Sequence, residues 1–563
     1  MKTEGGCFMA EKRIYFSNIS NLDFVMEQMM IACKEQLGMK ACVQDFDQED
    51  VIASPIVMMC NCMNIDDVQM QKKMKEVYQA NQAVILYEPT NNEVNQMYRT
   101  LQGKNYFCAE SKGHRHTLFG IKRCLGGITQ ILECHYKDPK SIAEALVEFL
   151  KEDTHQETIT HRLMLQEAAK ALEESETNLA TVANQHVITK RFTLGNKNLS
   201  LSYYIIAAHK YMEDEDDGGE DWFFIQQHGV LNGKNGYEYK WAGTNQKING
   251  EKYYVGDGEV CLNYVDHYFM QNYIQPAEDE STVEVDLMYA QPEAINNKTT
   301  YTIKESVSIG GAVGFEGGID GGNPKAVGNG SFSMGAGFDS SYSFDVPDCT
   351  CEGASLDVQD ASAAWKYSFA RAKQNRKAFH WQELHEPALL SRSAFSPWNA
   401  WVWKFPTKRR NDYKSFQSLF RIAIMNTISR YSGSQSPKHI YSKFTQDNKT
   451  HDYAETCFEV MLHMPPLLGV NTQDILLSKE AQTTSMEIIS QGSWTLSKQD
   501  AKADWIRMSE SSGAGGTCKI KLSVDECSDE KERCVLLRLS KDRGAGTDEY
   551  IEIHVMQSAG SVV

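Results

Sequence analysis

The sequence predicts a multidomain α+β protein, with an N-terminal α/β domain, a large all-β centre and a C-terminal β-sandwich. Three observations carry that expectation. Residues 12–152 alternate short apolar runs with amphipathic stretches, as layered α/β units do. From Val187 the pattern changes to short Tyr-, Phe-, Val- and Thr-rich runs parted by Gly, Asn and Asp turns. Met464-Pro465-Pro466-Leu467-Leu468 interrupts this series before further short β segments that end in Tyr550–Val555.

Each part has its own signals. In the first, Arg13–Phe16, Ile56–Met59 and Ala83–Tyr87 read as strands, Leu22–Gln36 as a helix capped by Asn21, and 67–80 and 140–152 as amphipathic helices. Residues 155–186 are polar with spaced Leu, Ala and Val, which predicts a helical linker. The expected division is therefore 1–154 for the α/β domain, which could serve as a pro- or regulatory domain, 155–186 for the linker, 187–468 for the central β domain and 469–563 for the last sandwich. At about 100–200 residues per domain, a chain of 563 residues has room for all of them.

The net charge of −18 excludes a general nucleic-acid binder, because phosphate neutralisation needs clustered Lys and Arg. It also argues against attraction of the whole molecule to anionic lipid, so any membrane contact must be local. No apolar run is long enough for a transmembrane helix, and Met1–Tyr15 has no apolar core of a secretory signal. A membrane-spanning β-hairpin would escape both tests.

Enzyme and metal readings find little. The 15 cysteines, with Cys60/Cys62 and Cys349/Cys351 as CxC pairs, fit neither a CxxC motif nor a zinc spacing. They are expected to be thiols and small core residues. His114 and His116 read as a loop pair, and no metal or cofactor is expected. His380–Glu386 lacks the HExxH spacing, no GxSxG elbow occurs, and Lys325-Ala326 rules out a P-loop. The acidic run Glu213–Asp217 reads as a solvated loop. No enzyme activity is expected, with a Cys nucleophile within 12–152 the one opening left.

Residues 301–347 are the most informative segment. Tyr301, Ile303, Val307, Ile309, Val313 and Phe315 hold odd positions, with small or polar residues between them. Gly317–Pro324 is turn-rich. In the second arm Phe332, Met334, Ala336, Phe338, Tyr342, Phe344 and Val346 hold even positions. Strand side chains alternate faces, so each arm has one apolar and one small, polar face. About 9–11 tilted residues cross a bilayer, and both arms are that long. This is the pattern of a transmembrane β-hairpin with lipid on one side and water on the other. A single hairpin in lipid leaves its edges unsatisfied, so several copies must close a barrel. An ordinary half-buried hairpin shows the same alternation, but the glycine density argues against it, since Gly weakens a permanent strand.

A second segment, Pro387–Trp403, holds Trp398, Trp401 and Trp403, followed by Lys404, Lys408, Arg409 and Arg410. Trp beside cations is the composition of a membrane-interface anchor, and equally that of core aromatics.

With these residues in view, 187–468 resembles the leukocidin/hemolysin family of β-barrel pore-forming toxins. The resemblance rests on the stem at 301–347, on Ala364–Ala370, and on Pro387–Pro397, which is similar to the family's rim segment with an arginine between serines leading into a Phe-x-Pro turn. It implies a leukocidin-like sandwich with a folded stem and a rim at 385–412. It also implies secretion as a soluble monomer, lipid binding through Arg392, Phe395, Trp398, Trp401 and Trp403, and assembly into a homo-oligomeric ring of about seven or eight copies. Cytolysis would follow membrane insertion of the stem through Val307, Ile309, Val313, Phe315, Phe332, Met334, Phe338 and Tyr342. Residues 478–558 resemble a BACON-type immunoglobulin-like β-sandwich, through Ser493-Trp494, Trp505-Ile506, Ser512–Gly516, Arg533–Leu536 and Ile551–Gln557. That implies a targeting or spacing module with a possible glycan receptor. The alternative reading is a non-lytic glycan-binding surface or secreted protein. No export signal is visible, so either this sequence lacks it or the protein leaves the cell by lysis or another route; the cysteine-rich first domain suits a reducing compartment.

Overall fold

A computed structural model of the chain describes residues 13–17, 23–43, 56–59, 65, 67–103, 106, 116–124, 128–151, 183–194, 197–210, 220–232, 236–248, 251–276, 285–291, 301–306, 312–314, 331–333, 339–344, 349–353, 362–371, 391, 394–395, 397–406, 413–435, 440–465, 467–470, 472–490, 492–500, 503–527, 532–541 and 549–558. The described residues form a multidomain α+β protein with four helices and six β-sheets.

The N-terminal unit runs β1 (Arg13–Ser17), α1 (Phe24–Leu37), β2 (Lys40–Val43), β3 (Ile56–Met59), α2 (Val68–Gln79), β4 (Val84–Tyr87), α3 (Asn91–Gln102), β5 (Leu118–Arg123), β6 (Ile128–Cys134) and α4 (Pro139–Lys151). Strand β1 pairs in parallel with β2 and β3, and β3 with β4. Parallel neighbours need a crossover, which α1 and α2 supply. Asp23, not Asn21, caps α1: its Oδ1 accepts the Met26 N–H at 2.8 Å. The helix stops at Gly38, whose φ of 63° only glycine adopts cheaply and which returns backbone bonds to the last turn. Helix α3 escapes the sequence reading because most of its residues are polar, yet Thr90 and Glu93 form a capping box and Val94, Met97 and Tyr98 make one buried stripe.

The central region contributes β7 (Ala183–Leu194), β8 (Lys197–Lys210), β9 (Glu220–Asn232), β10 (Gly236–Ile248), β11 (Glu251–Pro276), β12 (Asp286–Gln291), β13 (Tyr301–Ser306), β14 (Ala312–Gly314), β15 (Ser331–Ser333), β16 (Asp339–Phe344), β17 (Cys349–Gly353), β18 (Ser362–Phe369), β19 (Ala394–Phe395), β20 (Trp398–Pro406), β21 (Tyr413–Gln435) and β22 (Ile440–Met461). Two sheets face each other. One carries β12-β20-β9-β8-β7, with β19 on β9, and the other β17-β18-β11-β21-β22, with β10 on β11. Their core interlocks aromatics, with Tyr203 of β8 at 5.7 Å from Phe416 of β21.

The first sheet does not stop at β7. Strand β6 pairs with it in parallel from Ile128↔Gln185 to Cys134↔Arg191, so one twelve-stranded sheet spans the N-terminal unit and the central region. An open edge on β6 or β7 would leave a row of unpaired backbone groups, and here each strand covers the other. The buried Glu133–Lys190 ion pair, 2.5 Å long, crosses this seam. Residues 183–186, expected at the end of a helical linker, are strand. The rest of that linker lies outside the described residues, as do the acidic run at 213–217 and His114.

Beyond the Pro-Pro boundary come β23 (Leu468–Val470), β24 (Asp474–Leu477), β25 (Gln482–Ser490), β26 (Trp494–Lys498), β27 (Ile506–Met508), β28 (Ser512–Gly513), β29 (Gly516–Val524), β30 (Arg533–Lys541) and β31 (Glu549–Gln557). They form sheets ordered β23-β25-β29-β27 and β24-β31-β30-β26-β28 over a separate core built on Trp494, Leu522 and Leu537. This sandwich touches the N-terminal unit through the buried Arg123–Asp474 pair at 3.4 Å.

Candidate membrane-insertion hairpin

Strands β13 and β16 pair antiparallel from Tyr301↔Phe344 to Ser306↔Asp339, and β14 pairs with β15 from Ala312↔Ser333 to Gly314↔Ser331. In all nine pairs the two residues stand equally far from a midpoint between Gly322 and Asn323. The two ladders therefore belong to one hairpin with one register, centred in the turn-rich stretch. Opposed residues of an antiparallel pair share a face. Apolar positions meet apolar ones, as in Tyr301↔Phe344, Ile303↔Tyr342 and Val313↔Phe332, and polar or small ones meet their like, as in Thr302↔Ser343 and Lys304↔Ser341. The period-two alternation is thus in phase across both arms, with the polar pair Glu305↔Ser340 interrupting the apolar face. Among the described residues the four strands form two-stranded sheets of their own and join neither sandwich sheet. Val313, Phe332 and Tyr342 lie within these ladders; Val307, Ile309, Phe315, Met334 and Phe338 lie outside the described residues.

The aromatic segment behaves differently from its expected lipid-contacting role. Strand β20 lies inside the first sheet, between β12 and β9. Trp401 and Trp403 are 0% exposed and pack 5.6 Å apart, with Trp365 of β18 5.5 Å from Trp401 and Phe416 of β21 5.3 Å from Trp403. They are the core between the two sheets. Phe395 is also buried, against Tyr268, Tyr367 and Phe369. The expectation that these three residues meet lipid is corrected for this conformation: period two turned 401, 403 and 405 together toward the second sheet, and a composition suited to a headgroup layer also suits an aromatic core. Lys404 is likewise engaged, 3.4 Å from Glu220 and 3.3 Å from Asp286. Trp398 keeps its place at the start of β20, opposite His228, while Arg392 lies outside the described residues.

A second feature went unrecognised in the sequence. Strands β10, β11, β21 and β22 run well past the sandwich as a four-stranded antiparallel ribbon. The 13 residues of β10 alone span roughly 45 Å at about 3.4 Å each. One end of the ribbon is marked by Lys247↔Lys252, Gln246↔Tyr253, Tyr254↔Gln435 and Ser434↔Tyr441. Two hairpins thus finish side by side, in sequence rich in Tyr and Lys. The signal was present, but the two halves are some 180 residues apart in the chain and only the sheet register unites them.

Among the described residues of the N-terminal unit, the buried Cys33 and Cys134 thiols are held protonated. Cys33, Cys42, Cys124 and Cys134 of this unit are free thiols, and burial pushes the Cys33 thiol up to about 12 and the Cys134 thiol up to about 11, far from a reactive thiolate.

No family model and no curated protein matches the chain. Among solved structures, a protein described as a pore forming protein and the Clostridium perfringens NetB toxin in its membrane-inserted form are each 12% identical. Each covers 50% of this chain and has a TM-score of 0.28; 96% and 97% of their own lengths are covered. A Bacteroides ovatus GH5 xyloglucanase is 22% identical over 16% of this chain, at a TM-score of 0.14, and the chain spans only 18% of that protein. Likenesses at these scores carry no argument, and a function must be read from the chain's own strands.

Proposed function

We propose that this protein is a β-barrel pore-forming cytolysin. It acts outside the cell that makes it, as a soluble monomer that binds a target membrane, assembles into a homo-oligomeric ring and inserts one 301–347 hairpin per copy. The observation that carries this reading is the common register of the two stem ladders, which brings the apolar positions of both arms to one face of a hairpin that, among the described residues, joins neither sandwich sheet. A hairpin built for a permanent core would be hydrogen-bonded into a sheet, whereas one that changes solvent keeps its edges for partners from other copies.

Membrane contact is assigned to the paired tips of the β10-β11-β21-β22 ribbon, where Tyr and Lys supply interfacial chemistry that the buried Trp401 and Trp403 do not. The C-terminal sandwich serves as a targeting or spacing module, and a glycan receptor fits that role. The N-terminal unit keeps the protomer closed, a role supported by β6 covering the edge of β7. No catalytic step and no cofactor belong to the proposal.

Dye release from liposomes, with electron microscopy of the same lipid, tests it. Pore formation gives leakage and rings, before or after cleavage between 152 and 183. Intact vesicles at high dose under both conditions would reject it in favour of a non-lytic glycan-binding protein.

A further inference from the structure

The strongest cluster of ligand atoms outside the stem lies at one end of the β5–β6 hairpin. His116 precedes β5, His135 follows β6, and the hairpin closes between them through the Thr117 N–H donating to the Cys134 carbonyl at 2.8 Å. This brings His116, Glu133 and His135 together, with one ligand atom from each lying within 4.8 Å of the others. The two imidazoles are 4.6 Å apart, tilted at 41°. His116 is 3% exposed and Glu133 2%, while the His135 side chain is 24% exposed.

We propose that these three residues form a divalent-metal site of zinc type, two imidazole nitrogens and one carboxylate oxygen, with a further position open to solvent beside His135. The inference does not depend on pore formation. Two features fit it. The carboxylate is already oriented: Glu133 Oε1 accepts from the Tyr106 hydroxyl at 2.6 Å and from Lys190 Nζ at 2.5 Å. Its Oε2 lies 4.0 Å from His135 Nε2. Such outer partners orient ligands in metal sites. Second, the donor set is that of sites with three protein ligands and an open position. Bonds of about 2.0–2.2 Å need ligand atoms closer than they stand here, so the proposed binding requires the three side chains to draw in around the ion. The Lys190 ammonium opposes a cation, so the site is weaker than the same three ligands would be without it. Because Lys190 belongs to β7, an ion here adds charge beside the pair that ties β6 to the central region. His116 thus finds two candidate co-ligands, Glu133 and His135, across the hairpin.

The test is cobalt(II) and zinc(II) titration of the full chain after dialysis against a chelator. We expect one equivalent of cobalt, visible bands of a four-coordinate ion, no near-ultraviolet thiolate-to-cobalt transition, and displacement by zinc. His135→Ala, at a partly exposed position, keeps the wild-type circular dichroism and loses saturable binding; His116→Ala loses it too. No saturable uptake by the wild-type chain, uptake unchanged in both variants, or a thiolate transition accompanying binding would each overturn the site.

Discussion

Val313 offers the sharpest test of the stem. It pairs with Phe332 on the apolar face, while its neighbour Ala312 pairs with Ser333 on the other. It lies four residues before Gly317, where the turn-rich stretch Gly317–Pro324 begins. Measured from that edge at about 3.3 Å per residue and a tilt of 35–45°, it would sit roughly 10 Å into an apolar band about 25 Å tall, near its middle. Arg on the lipid face at that depth costs about 2–4 kcal/mol. Even 2 kcal/mol is roughly 30-fold per inserted hairpin, and the penalties add over the copies of a ring. Val313→Arg should therefore abolish dye release, whereas Ala312→Arg, facing the lumen, should keep leakage and alter only ion selectivity. Ile303→Arg, ten residues further from the turn, falls beyond the band's centre and should have a smaller effect. Because these strands, among the described residues, join neither sandwich sheet, thermal stability of the monomer should change by less than about 0.5 kcal/mol in all three. Equal leakage from Val313→Arg and Ala312→Arg would refute the period-two reasoning. A large drop in the melting temperature of Val313→Arg would show the hairpin to be part of the folded core.

Other expectations concern the frame that holds the stem. Trp403→Ala should lose about 3–5 kcal/mol in denaturant unfolding by emptying the core between the sheets, while Trp403→Phe, which keeps a ring there, should cost much less. Glu133→Gln should cost about 3–5 kcal/mol because it strands a buried Lys190, and Glu133→Gln with Lys190→Met should recover much of it. The sign with pH follows from the lowered Glu133 carboxyl. Its contribution is present above the ordinary carboxylate value and is lost as pH falls through the depressed one, so melting curves in acid should lose this dependence in the double variant. Gly120→Ala should cost about 1–3 kcal/mol, since its Cβ would stand 2.8 Å from the Phe149 ring, and Phe149→Leu should relieve part of the loss.

Much of the architecture was legible in the chain because it rests on local periodicity. The alternation over 301–347 requires only that neighbouring strand residues face opposite ways, and both arms can be read without knowing what lies beside them. The strands at Arg13–Phe16 and Ile56–Met59 and the Pro-Pro boundary are local signals of the same kind. Tertiary structure decided what depends on neighbours distant in sequence. Whether Trp401 and Trp403 meet lipid or protein hinges on a second sheet supplied by β18 and β21, because an indole is stabilised by either surroundings. The joining of β6 to β7 turns on an unpaired backbone edge that no side-chain pattern announces. Likewise His116, Glu133 and His135 converge only once β5 and β6 close their hairpin, since ligand geometry belongs to the fold and not to spacing along the chain.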